Sequence, residues 1–116
     1  MDDLLVDWID SLLNHIDEIE NDLKGLTIKE LENSNQLLRA VCFSLTQIGE
    51  QMNQLERKIG SIYKNLPWKA ARKMRNVIVH DYYHTDLDQV YSTIINDLPA
   101  LKRDFVKIKA DILKNS

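Results

Sequence analysis

Helix-breaking residues are scarce in this sequence, which has only three glycines and two prolines among 116 residues. Because both residue types disfavour a helix interior, their scarcity favours a mainly helical protein. A chain of this length suits one domain with its own core. Hydrophobic residues make up 44% of the sequence, as in ordinary globular proteins. We therefore predict a single helical domain that covers residues 1–116.

Long apolar runs and a second cysteine are absent as well. No stretch approaches the ~20 apolar residues that a membrane-spanning helix needs. Asp2 and Asp3 stand where a signal peptide would carry positive charge, so we predict a cytoplasmic protein. Cys42 cannot form an internal disulfide, and its apolar neighbours predict a buried, unreactive thiol.

Apolar side chains recur every three or four residues in several stretches, a pattern typical of helices with one buried face. The first stretch covers residues 2–23, and Gly25 is expected to end it. Thr27 and Glu30 form a capping box, which predicts the start of a second helix. Its apolar pattern continues to Ile59, which predicts one long helix of about 30 residues.

Two prolines organise the second half of the chain. Pro67 suits the first turn of a third helix that runs to about Val79. Asp86 is expected to cap a fourth helix, and Pro99 either kinks this helix or starts a fifth. Short connections between amphipathic helices predict an all-α, up-and-down antiparallel bundle of about four or five helices.

The net charge of -3 conceals an uneven distribution of charge. Residues 1–33 contain ten acids and two bases, whereas residues 57–80 contain seven bases and no acid. A solvated helix face is the plain explanation of such a run. However, a cationic path that ends at an arginine and a histidine also suits a phosphate-bearing ligand. The acidic first helix restricts any nucleic-acid contact to one groove.

The basic run leads into residues 74–83, which read Met-Arg-Asn-Val-Ile-Val-His-Asp-Tyr-Tyr. Arg75 and His80 are five positions apart, so on an unbroken helix they would point about 140° away from each other. Either the helix loosens at His80, or a second copy of the chain completes the site. Asn76 lies one helical turn before His80 and can orient the imidazole ring.

Arg-x4-His is a short pattern, and its sequence context makes it specific. With that context the chain resembles the HEPN family (higher eukaryotes and prokaryotes nucleotide-binding), and more narrowly its small bacterial members encoded beside a minimal nucleotidyltransferase. The resemblance covers roughly residues 38–103. The matching strings are Ile48-Gly49-Glu50, Leu66-Pro67-Trp68, Met74-Arg75-Asn76, His80-Asp81-Tyr82 and Leu98-Pro99-x-Leu101.

The resemblance implies a helical dimer in which two Arg-x4-His motifs face one cleft and cut RNA without a metal or other cofactor, as the toxin of a toxin-antitoxin pair. Cleavage by the 2′-hydroxyl of the RNA needs a base, an acid and a cation. Two chains would supply a pair of His80 and a pair of Arg75 side chains. Lys69, Arg72 and Lys73 are the predicted RNA contacts.

The resemblance also implies control by a partner. In the resembled subfamily, a nucleotidyltransferase antitoxin adds AMP to a tyrosine two residues after the motif histidine, which is Tyr82 here. The neighbouring Tyr83 leaves the assignment between the two rings open.

Several other residues have a plain interpretation. Glu50 lies near the apolar face of its helix and is predicted either to pair with a base such as Arg75 or to be hydrogen-bonded, in a supporting role. His84 is interpreted as a loop residue, and no metal site is predicted. His15 is interpreted as a surface residue without a function, and Trp68 as a packing residue that does not stack on a base.

Two other functions remain open at this point. One is a non-catalytic nucleotide-binding or regulatory subunit of a two-protein nucleotidyltransferase, and the other is a plain interaction bundle. The presence of both Arg75 and His80 favours the ribonuclease, because a binding module needs the bases but not the histidine.

Overall fold

In the computed structural model, residues 3–72, 75 and 87–115 are described, and every regular element among them is helical. This agrees with the predicted all-α class. Residues 68–72 are helical, as is Arg75, and we call this helix α4. The other elements are α1 (Asp3–Asp22), α2 (Ile28–Glu32), α3 (Asn35–Ile59), α5 (Leu87–Ser92), a π-helical turn (Thr93–Asp97) and α6 (Leu98–Lys114).

The chain reverses between α1 and α2 as predicted. Gly25 adopts a φ of 76°, a conformation that side chains with a Cβ rarely adopt. The capping box follows: the backbone N–H of Glu30 donates to the Thr27 hydroxyl oxygen at 3.2 Å, and the Thr27 N–H donates to a Glu30 carboxylate oxygen at 3.3 Å. Two of the N–H groups at the start of α2 are thereby satisfied.

The prediction of one long helix from Thr27 to Ile59 is wrong. The helix breaks after Asn33, and α3 starts afresh behind Ser34, whose backbone is extended with φ −122° and ψ 100°. The Ser34 hydroxyl oxygen accepts a hydrogen bond from the N–H of Leu37 at 3.1 Å. Serine and asparagine bond their neighbouring backbone in this way, which stabilises a new helix start at the expense of continuity.

The start of α4 is fixed by packing around Trp68, which is 6% exposed. Its indole N–H donates to the carbonyl of Tyr63 at 3.0 Å, and its ring meets that of Phe105 edge-on at 6.2 Å. The prediction that Trp68 is a packing residue is confirmed. The predicted end of this helix at Val79 and the predicted cap at Asp86 lie outside the described residues.

Pro99 does not interrupt the helical backbone, because α5, the π-helical turn and α6 follow one another without a gap over residues 87–114. It lies in the first turn of α6, directly after the π-helical turn. There the N–H of Leu98 donates to the carbonyl of Thr93, five residues back. This wider turn changes the hydrogen-bonding pattern just before the residue that has no N–H to donate.

α1 and α3 pack side by side in opposite directions. Gln51, late in α3, donates to the Ser11 hydroxyl at 3.1 Å, whereas Phe43, earlier in α3, meets His15 edge-on at 6.4 Å. The prediction of a surface His15 needs correction, because its side chain is only 18% exposed. His15 lies beside α3, since its position in α1 is next to the buried stripe.

α1 and α6 are also antiparallel, and ion pairs join them. Lys109 lies 2.6 Å from Asp10, while Lys102 lies 2.8 Å from Asp17 and 3.4 Å from Glu20. The pKa of Lys102 is raised, chiefly by its hydrogen bond with Asp17. These contacts confirm the antiparallel bundle, and they neutralise part of the acidic surface of α1.

The buried apolar side chains form one core between the helices. Phe105 and Ile9 are completely buried, and Cys42 is 4% exposed. Burial raises the pKa of the Cys42 thiol, which keeps it protonated and weakly nucleophilic. The prediction of a buried thiol is confirmed. No helix in the described ranges is both long enough and apolar enough to cross a membrane.

Candidate functional site

α3 and α4 approach each other most closely at Gly49. A Cβ atom built at this position would lie 2.6 Å from the Cβ and 3.2 Å from the Cγ of Arg75. Non-bonded carbon atoms prefer a separation of about 3.5–4.0 Å, so even an alanine would have to push α4 away. The missing side chain at Gly49 is what lets the stem of Arg75 lie against α3.

The next residue of α3 holds the head of the same arginine. The Nε–H of Arg75 donates to a carboxylate oxygen of Glu50, which confirms the predicted ion pair. Hydrogen bonds between two charged groups are stronger than neutral ones and are directional. Gly49 thus positions the stem of Arg75, and Glu50 holds its guanidinium at Nε. The group remains accessible, since 35% of the Arg75 side chain is exposed.

A second arginine joins α4 to α3 one turn earlier. Arg72 pairs with Glu56, and their side chains are 42% and 31% exposed. Ion pairs this exposed typically contribute about 0–1 kcal/mol to stability. The two ion pairs also show how the helices run. Arg72 precedes Arg75 in α4, whereas its partner Glu56 follows Glu50 in α3. The two helices are therefore antiparallel.

The predicted RNA contacts have different environments. Lys69 is exposed near the start of α4, whereas Arg72 is occupied by Glu56. Lys73 lies outside the described residues, as do Asn76, His80 and Tyr82. Tyr83 and His84 are in the same stretch. The geometry between Arg75 and His80 therefore stays a prediction.

Sequence reasoning missed the exposed Phe43. Its side chain is 61% exposed on α3, seven residues before Glu50. Seven residues are nearly two helical turns, so both side chains lie on one face of α3, about 10 Å apart along its axis. Its neighbours Cys42 and Ser44 are both buried. The only sequence signal for the exposure of Phe43 is its position around the helix relative to the apolar stripe.

Metal ligands are not assembled in the described part of the chain. Among residues 3–72, 75 and 87–115, no group of three or more histidine, cysteine, aspartate or glutamate side chains is placed to hold a metal ion. The arrangement that is present, a cation fixed by a carboxylate and still open to solvent, is suited to binding a negatively charged oxygen.

The described residues thus form an all-helical bundle in which an arginine of α4 is held against α3. A family model described as "Ribonuclease HepT-like" matches residues 12–108. The chain belongs to this family, which confirms the resemblance to HEPN proteins drawn from the short motifs.

Several similar proteins have ribonuclease names. "Putative RNase MJ1216" of Methanocaldococcus jannaschii is 31% identical over 101 residues, which cover 87% of this chain and 84% of that protein. "Putative RNase MJ0125" of the same organism is 30% identical, with 87% of each chain covered. "Probable ribonuclease HepT" of Thermococcus cleftensis is 23% identical over 89% of this chain and 94% of its own length. No solved structure matches.

Proposed function

We propose that this protein is a metal-independent endoribonuclease in which Arg75 and His80 are the catalytic residues, and that it acts as the toxin of a bacterial toxin-antitoxin pair. The observation that carries the proposal is the placement of Arg75 by Gly49 and Glu50, in a chain of the ribonuclease HepT-like family. A guanidinium that is held at Nε and partly exposed is suited to a phosphate in an RNA strand.

The nucleophile of the proposed reaction is a 2′-hydroxyl of the RNA itself. His80 of one chain removes the proton from a 2′-hydroxyl, and the 2′-oxygen attacks the adjacent phosphorus. Arg75 stabilises the extra negative charge on the phosphorane. The bond from phosphorus to the 5′-oxygen then breaks, and His80 of the second chain protonates that oxygen. The products are a 2′,3′-cyclic phosphate and a free 5′-hydroxyl, while Asn76 orients the imidazole.

Chelator is the first test of this chemistry. We expect the purified protein to cut total RNA in excess EDTA and to leave 2′,3′-cyclic phosphate ends, because the nucleophile is the ribose itself. Gel electrophoresis and end-group analysis measure both results. Cleavage that EDTA abolishes and Mg²⁺ restores would indicate a different mechanism. Tight RNA or nucleotide binding without any cleavage would favour the regulatory-subunit alternative.

A homodimer is proposed because one chain supplies one His80, whereas the reaction uses a base and an acid. The exposed Phe43 supports this assembly, since it lies on the face of α3 that also carries Glu50. A second copy that covers Phe43 would bring its own residues close to Arg75. Covering an aromatic side chain of this kind contributes about 1.5–3 kcal/mol.

Phe43→Asp should therefore weaken the dimer at least about tenfold in Kd, because each copy loses an apolar contact and gains a charge. Sedimentation velocity over a range of protein concentrations measures the effect. Val106→Asp is the matched control, since Val106 is 52% exposed but lies on α6. If only the Val106→Asp control dissociates the dimer, the interface involves α6 and not the Phe43 face of α3. A fully active monomer would show that no dimer is needed.

A further inference from the structure

We propose that Arg57, Lys64 and Lys69 form a phosphate-binding exosite that holds the RNA strand beside the cleavage site, starting about 10 Å from the candidate catalytic arginine. We call these three residues the basic corner, because they surround the turn between α3 and α4. The proposal deepens the proposed ribonuclease function and rests on it. The ligand is the backbone of a single-stranded RNA, whose repeated phosphates require several cations in a row.

All three side chains of the basic corner are exposed. None of them lies within ion-pair distance of an acid in the part of the chain that the structure describes. Residues 57–72 contain no acid, and the preceding Glu56 is already paired with Arg72. By contrast, Lys102 and Lys109 of α6 are paired with acids of α1. The basic corner thus keeps its charge for an external anion.

The register between α3 and α4 places Lys69 next to Arg57. The pairs Arg75–Glu50 and Arg72–Glu56 show that α4 runs back along α3. One more turn back along α4 brings Lys69 level with the last turn of α3, which ends at Ile59. Arg57 lies in that last turn.

Arg57 also lies on the same face of α3 as the candidate catalytic arginine. It follows Glu50 by seven residues, so the two side chains differ by only about 20° around the helix and are about 10 Å apart along it. Since Glu50 holds Arg75, the basic corner continues the surface that begins at the candidate site. A single RNA strand that follows this face of α3 from Arg75 would therefore also pass Arg57.

Lys64 is carried by a well-fixed turn between the other two cations. The N–H of Tyr63 donates to the carbonyl of Ile59 at 3.0 Å, and the Tyr63 carbonyl accepts from the indole N–H of Trp68 at 3.0 Å. Trp68 is itself buried in the core. The backbone of Tyr63, directly before Lys64, is thus anchored both to the end of α3 and to Trp68, so the turn that carries the lysine has a defined place between Arg57 and Lys69.

The test measures how RNA affinity depends on salt. The probe is a short single-stranded RNA in which every ribose is 2′-O-methylated, so that no 2′-hydroxyl can attack and binding is observed without cleavage. Each phosphate contact contributes about 0.7 to the slope of log K against log salt for a single strand. We therefore expect the triple variant R57Q/K64Q/K69Q to lower the slope by about 2 per chain relative to the unmodified protein.

The matched control is K24Q/R103Q/K107Q, which removes the same charge from exposed positions. Arg103 and Lys107 lie two residues on either side of the buried Phe105, so they point away from the core side of α6. The control should leave the slope unchanged. Circular dichroism establishes that both variants keep their helices.

The outcomes separate this proposal from the proposed ribonuclease activity. Equal slopes for both triple variants would overturn the basic corner, because net charge alone would then explain binding. Failure of the unmodified protein to bind the probe would also overturn it. Cleavage of unmethylated RNA is measured on the same preparations. If the protein binds RNA through the basic corner but does not cut it, the exosite proposal stands and the proposed ribonuclease activity is wrong.

Discussion

His80→Ala and Arg75→Ala are each expected to slow RNA cleavage by about 10²-fold or more. Loss of a general acid or base typically removes a factor of about 10²–10⁴. Loss of a cation that stabilises the transition state has an effect of about 10²–10³. Single-turnover cleavage of a defined RNA measures the chemical step directly. Arg75→Ala should keep the helical circular dichroism spectrum, since 35% of the Arg75 side chain is exposed. The same spectrum checks that His80→Ala keeps its helices.

Arg72→Ala is the informative comparison for Arg75→Ala. It removes the same type of side chain one turn earlier in α4, together with a similar ion pair to α3. Because Arg72 is predicted to act in RNA binding, its loss should raise KM several-fold and change kcat little. A fall in kcat of the same size for both variants would indicate that the effect comes from loosening α4, and would count against a catalytic Arg75.

Co-expression with the cognate nucleotidyltransferase should reduce RNA cleavage to background, and Tyr82→Phe should restore it. Transfer of an adenylyl group to the Tyr82 oxygen would add a bulky base and a negatively charged phosphate. If Tyr82 lies at the rim of the cleft, these groups would exclude RNA by volume and would compete for Arg75 and the neighbouring lysines. Intact-mass measurement and peptide mapping locate the added group.

Tyr83→Phe is the matched control for this prediction, because it removes the neighbouring hydroxyl and leaves Tyr82 available. It should remain fully silenced by the partner. If Tyr82→Phe is silenced as completely as the unmodified chain and no adduct forms at position 82, inhibition works by binding alone. An adduct found only on Tyr83 would transfer the regulatory role to that ring.

Local chemistry explains what the sequence could predict. The capping box at Thr27 and the turn at Gly25 each depend on residues within three positions of each other, and both are present. The pair between Glu50 and Arg75 is a contact between distant residues, yet it was predictable. A carboxylate beside the apolar face of a helix requires a partner, and the sequence offers a basic run.

Other structural features depend on contacts that the spacing of apolar residues cannot reveal. Leu31 and Leu38 remain in phase across the break at Ser34, so the apolar pattern predicted one helix where the chain forms two. The close approach at Gly49 needs the three-dimensional position of α4. The basic corner needs the register between α3 and α4, which the two arginine–glutamate pairs define.

The close approach at Gly49 also limits how far α3 can be stabilised. Alanine is favoured over glycine in a helix interior by about 1 kcal/mol, so a mid-helix glycine is normally a good position for raising thermal tolerance. Here a methyl group would displace Arg75. The helix therefore keeps a residue of low helix propensity at the point where Arg75 is held. Selection for heat resistance in this protein would have to act elsewhere, because thermostability and arginine placement compete for the same position.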